Sequence, residues 1–467
     1  MSRSTWNRRN FLKWSTASLT ALGFGMPGVF QRARALGGPT LGPYKKILYI
    51  FLRGGIDGVQ CVIPYGDQGA GPDKPDYLAA RPTIGVSSDD AHDLNGFASL
   101  YPTMQSTAPD GPKLADIFHD NIDGRGNKLA VVGRVGYENQ DRSHFSSQKF
   151  YENCCPGDVS KEDGVFNRYI SAYTNPESPL QGAVLNGSQM VFMKGDVLLP
   201  VLRSVADYQL PGNVNLGAIP TGSNPTGEGL MGVFGQAGFD SARAWESLTY
   251  DTGSTLLDGL RFFEENVHGT SYEPATDAQP FYASINDRGF ANFLQDCARL
   301  LKQVDSLQIA GCNQNGYDTH GSEHLRFPNL AEDLGLAFTA LYHDLRPIWD
   351  DTLVVCMSEF GRTSLENGNR GTDHAESTIM MLMGGPVVGG VYNVDSTTWE
   401  NGDMFSTANG RYVAHRTDYR AIYREILAGH LGDPENQMDT IIPGYSTLST
   451  PTNDPQGYFN PLGLIQT

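Results

Sequence analysis

A series of apolar runs stops abruptly at glycine-rich polar loops, and that punctuation restricts the fold more than any other feature of the chain. The runs cover 45–52, 128–136, 306–312, 352–357 and 379–383. Several are apolar on nearly every residue rather than on alternate ones. A strand wet on one face alternates, so an unbroken run predicts a strand covered on both faces, as in a parallel sheet. Helical periodicity falls between the later runs. Over 290–303 it places Phe293, Leu294, Cys297, Leu300 and Leu301 on one face. Further helices are expected over 330–345 and 417–431, the last with Thr417 as its N-cap. Strands alternating with helices imply an α/β fold, a doubly wound and mostly parallel sheet with helices on both faces.

The 54 glycines and 27 prolines point to long loops and away from a helical bundle. One such region is 64–112. Another, 155–285, holds short apolar pieces among Gly, Pro, Asn and Ser clusters, and reads as a loop-rich insertion or cap on the sheet, not as a separate domain. A formal net charge of −18 argues against a nucleic-acid partner, since phosphate backbones need a basic surface.

At the N-terminus, Asn7-Arg8-Arg9-Asn10-Phe11-Leu12-Lys13 precedes an apolar stretch, and Ala33-Arg34-Ala35 supplies an A-x-A cleavage pattern. This predicts a twin-arginine signal peptide over 1–35, carriage by the twin-arginine translocase, and a periplasmic or secreted product. The stretch is too short and polar to span a bilayer well, so no stable span is expected in the mature chain, 36–467. The cysteines form no C-x-x-C pair, which disfavours a thiolate zinc site.

The chemistry-bearing residues stand where strands end. Asp57 follows the first run on Arg53-Gly54-Gly55-Ile56-Asp57-Gly58. Asp318 and His320 lie on Gly316-Tyr317-Asp318-Thr319-His320-Gly321. Glu359 and Arg362 follow the fourth run, and Asp373-His374 follow Gly371-Thr372. Asp and His at adjacent strand ends are ligands for a divalent metal, and Glu359 suits either a ligand or a carboxylate orienting a histidine ligand. If the strands are parallel neighbours, these loops meet at one edge of the sheet. Upstream, Arg142-Ser143-His144 opens an expected helix, capped by Asp141 or Ser143. The Ser143 hydroxyl is the candidate nucleophile, with His144 beside it. Arg142 or Arg362 would hold an anion.

Other chemistries find no support. Gly227-Glu228-Gly229-Leu230-Met231-Gly232 matches G-x-G-x-x-G but follows no strand. There is no G-x-S-x-G elbow and no H-E-x-x-H. Cys154-Cys155-Pro156-Gly157-Asp158 is close to the C-x-P-x-R signature of type I sulfatases but ends in Asp, which disfavours formylglycine chemistry.

Taken together, the twin-arginine leader, Phe51-Leu52-Arg53-Gly54-Gly55-Ile56-Asp57-Gly58, Arg142-Ser143-His144-Phe145, Asp318-Thr319-His320-Gly321, Ser358-Glu359-Phe360-Gly361-Arg362, Gly371-Thr372-Asp373-His374 and Thr417-Asp418-Tyr419-Arg420 resemble the DUF1501 family over nearly the whole mature chain. That family is grouped with the alkaline-phosphatase-like and sulfatase-like proteins. The resemblance implies a single alkaline-phosphatase-like domain over 36–467. It also implies a divalent ion (zinc, calcium, manganese or magnesium) on Asp57, Asp318, His320, Glu359, Asp373 and His374. The activity it implies is hydrolysis of a small anionic ester, phosphate or sulfate. This chain departs from that superfamily at Glu359-Phe360, where Asp-His is usual. The departure keeps open a second class of function, an exported binding or surface-assembly protein on a degenerate hydrolase scaffold.

Overall fold

The computed structural model describes residues 44–120, 122, 124–173, 180–208, 260, 262–432 and 437–466. Residues 1–43, including Arg8 and Arg9 of the expected signal peptide, and the Gly227–Gly232 stretch lie outside the described residues. The elements that position the site are β1 (Lys46–Arg53), β2 (Leu129–Gly136), α1 (His144–Asn153), β3 (Gly182–Leu185), β4 (Val201–Leu202), α2 (Arg288–Gln303), β5 (Ile309–Asn315), α3 (Glu323–Asp344), β6 (Thr352–Ser358), β7 (Thr378–Gly384), β8 (Gly390–Tyr392), β9 (Thr417–Asp418) and α4 (Tyr419–Glu425).

They form a nine-stranded sheet in the order β8-β2-β7-β6-β1-β5-β3-β4, with β9 also pairing β2. β1 lies parallel between β5 and β6. The β3–β5, β3–β4, β2–β8 and β2–β9 ladders are also parallel. Only β7 runs against its neighbours, antiparallel to β2 and β6. The sheet is therefore mainly parallel, and helices cover both faces.

Alternation within β1 shows why its run is unbroken. Leu48, Ile50 and Leu52 pack on one side with Phe290, Leu294 and Leu301 of α2 and Leu334 and Phe338 of α3. Ile47, Tyr49 and Phe51 pack on the other with Phe150 and Tyr151 of α1 and Tyr419 and Tyr423 of α4. Successive side chains point to opposite faces, so a strand covered twice must be apolar at every position. Each such side chain is worth roughly 1.5–3 kcal/mol relative to exposure.

Several boundaries differ from the sequence expectation, each for a local reason. β5 runs on through the polar Asn313, Gln314 and Asn315, because its register with β1 continues to the pair Arg53–Asn315. α3 begins seven residues before 330; Pro328 lies inside it and interrupts the sequence signal. α4 is capped by Asp418, whose carboxylate accepts from Arg420 N–H, while Thr417 belongs to β9. Within 155–285, β3 and β4 extend the sheet itself. No helix among the described residues is long and apolar enough to cross a membrane.

Candidate metal centre

Three parallel strands, β1, β5 and β6, deliver their C-terminal loops to one edge of the sheet. The antiparallel β7 brings its preceding loop, 371–377, to that same edge. A parallel β7 would have carried Asp373 and His374 to the opposite end. Close approach of these loops depends on Gly54, which has φ +122°; a Cβ there would sit 2.3 Å from Asp318 N. We expect Gly54→Ala to cost about 2 kcal/mol or more, through left-handed strain plus the clash. A thermal melt indistinguishable from wild type would contradict this contact.

The converging side chains centre on Asp318. Its Oδ1 lies 3.2 Å from His320 Nε2, 3.4 Å from His374 Nε2 and 3.5 Å from His144 Nε2. Candidate ligand atoms of His144, Asp318 and His374 all fall within 4.8 Å of one another. Each imidazole is gripped by its other nitrogen. His144 Nδ1 is 2.9 Å from Glu359 Oε1, His320 Nδ1 is 3.0 Å from Asp373 Oδ1, and His374 Nδ1 is 2.8 Å from the Arg142 carbonyl. These partners are acceptors, so each Nδ1 must donate, and in a neutral ring Nε2 is then a bare lone pair. His320 Nε2 and His374 Nε2 face each other at 2.9 Å. Two lone pairs that close repel unless a cation or proton lies between them. His144 Nε2 is buried and has no hydrogen-bond partner. An orphan imidazole nitrogen aimed at a carboxylate, with each ring oriented from behind, is the donor arrangement that a transition-metal ion fits. Side chains of Asp318 and His320 are 49 % and 45 % exposed, so the cluster is open to solvent.

Electrostatics favour the unprotonated forms of Asp318, Glu359, Asp373 and His374, and push His144 the other way. Burial tends to raise the Asp318 carboxyl, but Arg362, donating at 2.7 Å, brings it down to about 2. Burial works against Glu359 too, yet hydrogen bonds from His144, Gln148 and the Gly54 N–H hold it below the ordinary range. Asp373 is lowered in the same way by His320 and Asn367, against its burial. Burial and the Arg362 charge depress His374. His144 moves up, chiefly through its bond to Glu359.

Sequence expectations sort themselves on this geometry. The structure brings Asp318, His320 and His374 together, with Asp373 behind His320. His144, expected beside a nucleophile, points its Nε2 into the cluster. Glu359 stands behind His144 and not in the cluster, because its Oε1 is taken by Gly54 N, His144 Nδ1 and Gln148 Nε2. Arg362 is no anion clamp. Its guanidinium is fully buried and donates to the carbonyls of Gly54, Gly55, Tyr317 and Thr372 as well as to Asp318. Asp57 stays out of the cluster as well. It is buried against Arg81 at 2.8 and 3.1 Å and caps the short helix Gly58–Cys61 through Gln60 N–H. Ser143 is the N-cap of α1, but its hydroxyl makes no capping bond; Asp141 takes the Ser143 N–H at 2.8 Å instead. Ser143 is exposed, between Arg142, whose carbonyl holds His374, and His144.

Sequence reasoning missed Gln148 and Arg81. Gln148 lies one helical turn after His144, so the i, i+4 spacing was a usable signal. Arg81, in a Pro- and Asp-rich loop region, carries no local sign that it reaches Asp57, Thr363 O and Ser364 O.

A buried acid pair lies behind the loops. Glu323, at the first turn of α3, accepts from the Thr372 hydroxyl at 2.6 Å, and its carboxyl is pushed well up by burial and by Asp57. The folded state therefore prefers the protonated acid, while the unfolded chain ionises near the ordinary 4.5. Stability should fall as pH rises above that value, until the folded carboxyl itself ionises. Glu323→Gln mimics the protonated form and should flatten that part of the Tm–pH curve. Parallel curves for the two proteins would refute the assignment.

Among solved structures, lipooligosaccharide phosphoethanolamine transferase A, an integral membrane protein from Neisseria meningitidis, is 12 % identical, covering 81 % of this chain at a TM-score of 0.27. This chain spans only 55 % of that protein's length. Alkaline phosphatase from the Antarctic bacterium TAB5 is 9 % identical, covering 75 % of this chain and 96 % of its own at a TM-score of 0.29. At such scores the fold and the site rest on this chain's own geometry. No curated protein matches. Residues 270–428, which carry Asp318, His320, Glu359, Arg362, Asp373 and His374, match the family model DUF1501, a protein family of unknown function.

Proposed function

We propose that the protein is an exported metal-dependent hydrolase of small anionic esters, phosphate or sulfate. The observation that carries this is the convergence of three imidazole Nε2 atoms on Asp318 Oδ1, each ring fixed from behind by an acceptor. Three nitrogen donors and one carboxylate suit zinc or a similar transition metal better than magnesium or calcium, which prefer oxygen shells. His144, His320, His374 and Asp318 would hold the ion, and Glu359, Asp373 and the Arg142 carbonyl would set their orientation. When bound, a divalent ion supplies positive charge that polarises an ester oxygen and lowers the pKa of a nearby hydroxyl.

The protein's own groups supply the rest. Ser143 presents an exposed hydroxyl, uncommitted to capping, between two residues that touch the cluster, and is the nucleophile in this reading. Arg142, also exposed, would meet the anion with the donors it does not spend on the Tyr412 hydroxyl. Export rests on the twin-arginine leader; Arg8→Lys with Arg9→Lys should retain the protein in the cytoplasm, and unchanged fractionation would remove that part.

Metal analysis of the full chain purified without chelators tests the centre. Stoichiometric zinc, with turnover of a chromogenic phosphate or sulfate ester that Ser143→Ala abolishes, is the expected result. A folded, metal-free and inactive protein would favour the other reading, a binding or surface-assembly protein on a degenerate scaffold.

A further inference from the structure

The rim of the cluster carries a feature the ligand set does not use. Tyr412 is buried, and two exposed arginines flank its ring, with the guanidinium carbons of Arg142 and Arg411 at 5.3 and 5.9 Å from the centroid. Arg142 also donates to the Tyr412 hydroxyl. Both arginines are tied to the centre, Arg142 through its carbonyl on His374 Nδ1 and Arg411 through its carbonyl, which accepts from Ser364 N–H at 3.3 Å next to Thr363, whose own N–H donates to Asp373 O at 2.9 Å. Arg411 stands on a closed turn. Gly410 N–H donates to Thr407 O at 2.8 Å, Thr407 N–H to Tyr412 O at 3.1 Å, and Arg411 N–H to Asn409 Oδ1 at 3.0 Å. The acids on this side include Asp373, engaged by His320 and Asn367, Glu376, near Arg142, and Asp141, whose carboxylate accepts from Ser143 N–H and the Ser146 hydroxyl.

Packing beside an aromatic ring pre-orders a guanidinium, and of the five N–H donors of Arg142 one is spent on the Tyr412 hydroxyl, leaving the others for oxygens. Two planar forks held beside a metal cluster, in a chain of net charge −18, form a local positive field at the open side of the site. Arginine forks match phosphate oxygens bidentately, and attraction scales with the charge of the ligand. We infer that Arg411 and Arg142, stacked about Tyr412, form a clamp for a dianionic group, and that the site therefore selects phosphate monoesters over monoanionic sulfate esters. This rests on the metal-centre reading above. It adds Arg411 as a specificity-determining residue and chooses between the two ester classes.

The test uses the zinc-loaded full chain, titrated calorimetrically with phenylphosphonate, a stable mimic of a phosphate monoester, and with benzenesulfonate, its monoanionic counterpart, at pH ~8.5, where the second phosphonate proton is largely lost. Wild type should bind the phosphonate dianion more tightly than the sulfonate. Arg411→Gln should weaken phosphonate about tenfold or more, as expected for losing a charged hydrogen-bonding partner. Zinc content and the thermal melt should not change, because Arg411 is exposed and touches no ligand nitrogen. Arg411→Lys, which keeps the charge but not the fork, should fall between the two. Equal binding of phenylphosphonate and benzenesulfonate, or unaltered phosphonate affinity in a zinc-loaded Arg411→Gln protein, overturns the clamp alone. Failure of wild type to take up zinc overturns the metal centre and the clamp with it.

Discussion

Asp318→Asn should abolish metal uptake and ester turnover together. Asp318 Oδ1 is the atom on which His144, His320 and His374 converge, and it balances the buried Arg362 charge at 2.7 Å. An amide keeps the shape but removes the negative charge. It leaves a cationic guanidinium facing three imidazole Nε2 atoms with no carboxylate at their point of convergence, where a divalent ion is repelled. Altering groups that merely orient ligands costs about 10–100-fold in affinity. Loss of the central carboxylate should exceed the upper end of that range, as read by competition with a zinc chelator. The fold should persist, because Arg362 keeps its four carbonyl acceptors. Zinc affinity within a few fold of wild type would show that the cluster is not a metal centre.

A second substitution separates structure from chemistry at the same edge. Asp57→Ala should lower stability by about 3–5 kcal/mol, because it leaves the fully buried Arg81 without its counter-charge. It also removes the cap on the helix Gly58–Cys61. Were Asp57 a ligand, the same change would remove metal and leave the melt nearly intact. Chemical denaturation and metal analysis of one preparation distinguish the two: a large stability loss with zinc retained at low temperature is the expected pair. Zinc loss with unchanged stability would return Asp57 to the ligand set.

Asp318 and Asp57 show how far the primary structure can be read. Both follow apolar runs, both stand among glycines, and both look like ligands. What separates them is Arg81, which arrives from a loop with no regular pattern and takes both oxygens of Asp57. Glu359 and Arg362 differ from expectation for a similar reason. Each is buried, so its partners are whichever backbone and side-chain groups the neighbouring loops leave unsatisfied, and chain order does not encode those groups. His144 stands out in the sequence only beside Ser143, since a lone histidine at a helix start carries no sign of where its ring points.

The chain's own order of residues settled the strands β1, β2, β5, β6 and β7, their double covering and the loops that bear chemistry, because burial on two faces writes an unbroken apolar run and a sharp turn requires glycine. It did not settle β3, β4, β8 and β9, which are short and carry no such run. Tertiary structure alone decided that β7 runs antiparallel and so carries Asp373 and His374 to the edge where β1, β5 and β6 end. It alone decided which acids face the imidazoles and which face arginines. Strand direction and side-chain pairing depend on contacts between segments hundreds of residues apart, such as the 305 that separate Gly54 from Glu359, and no local pattern records them.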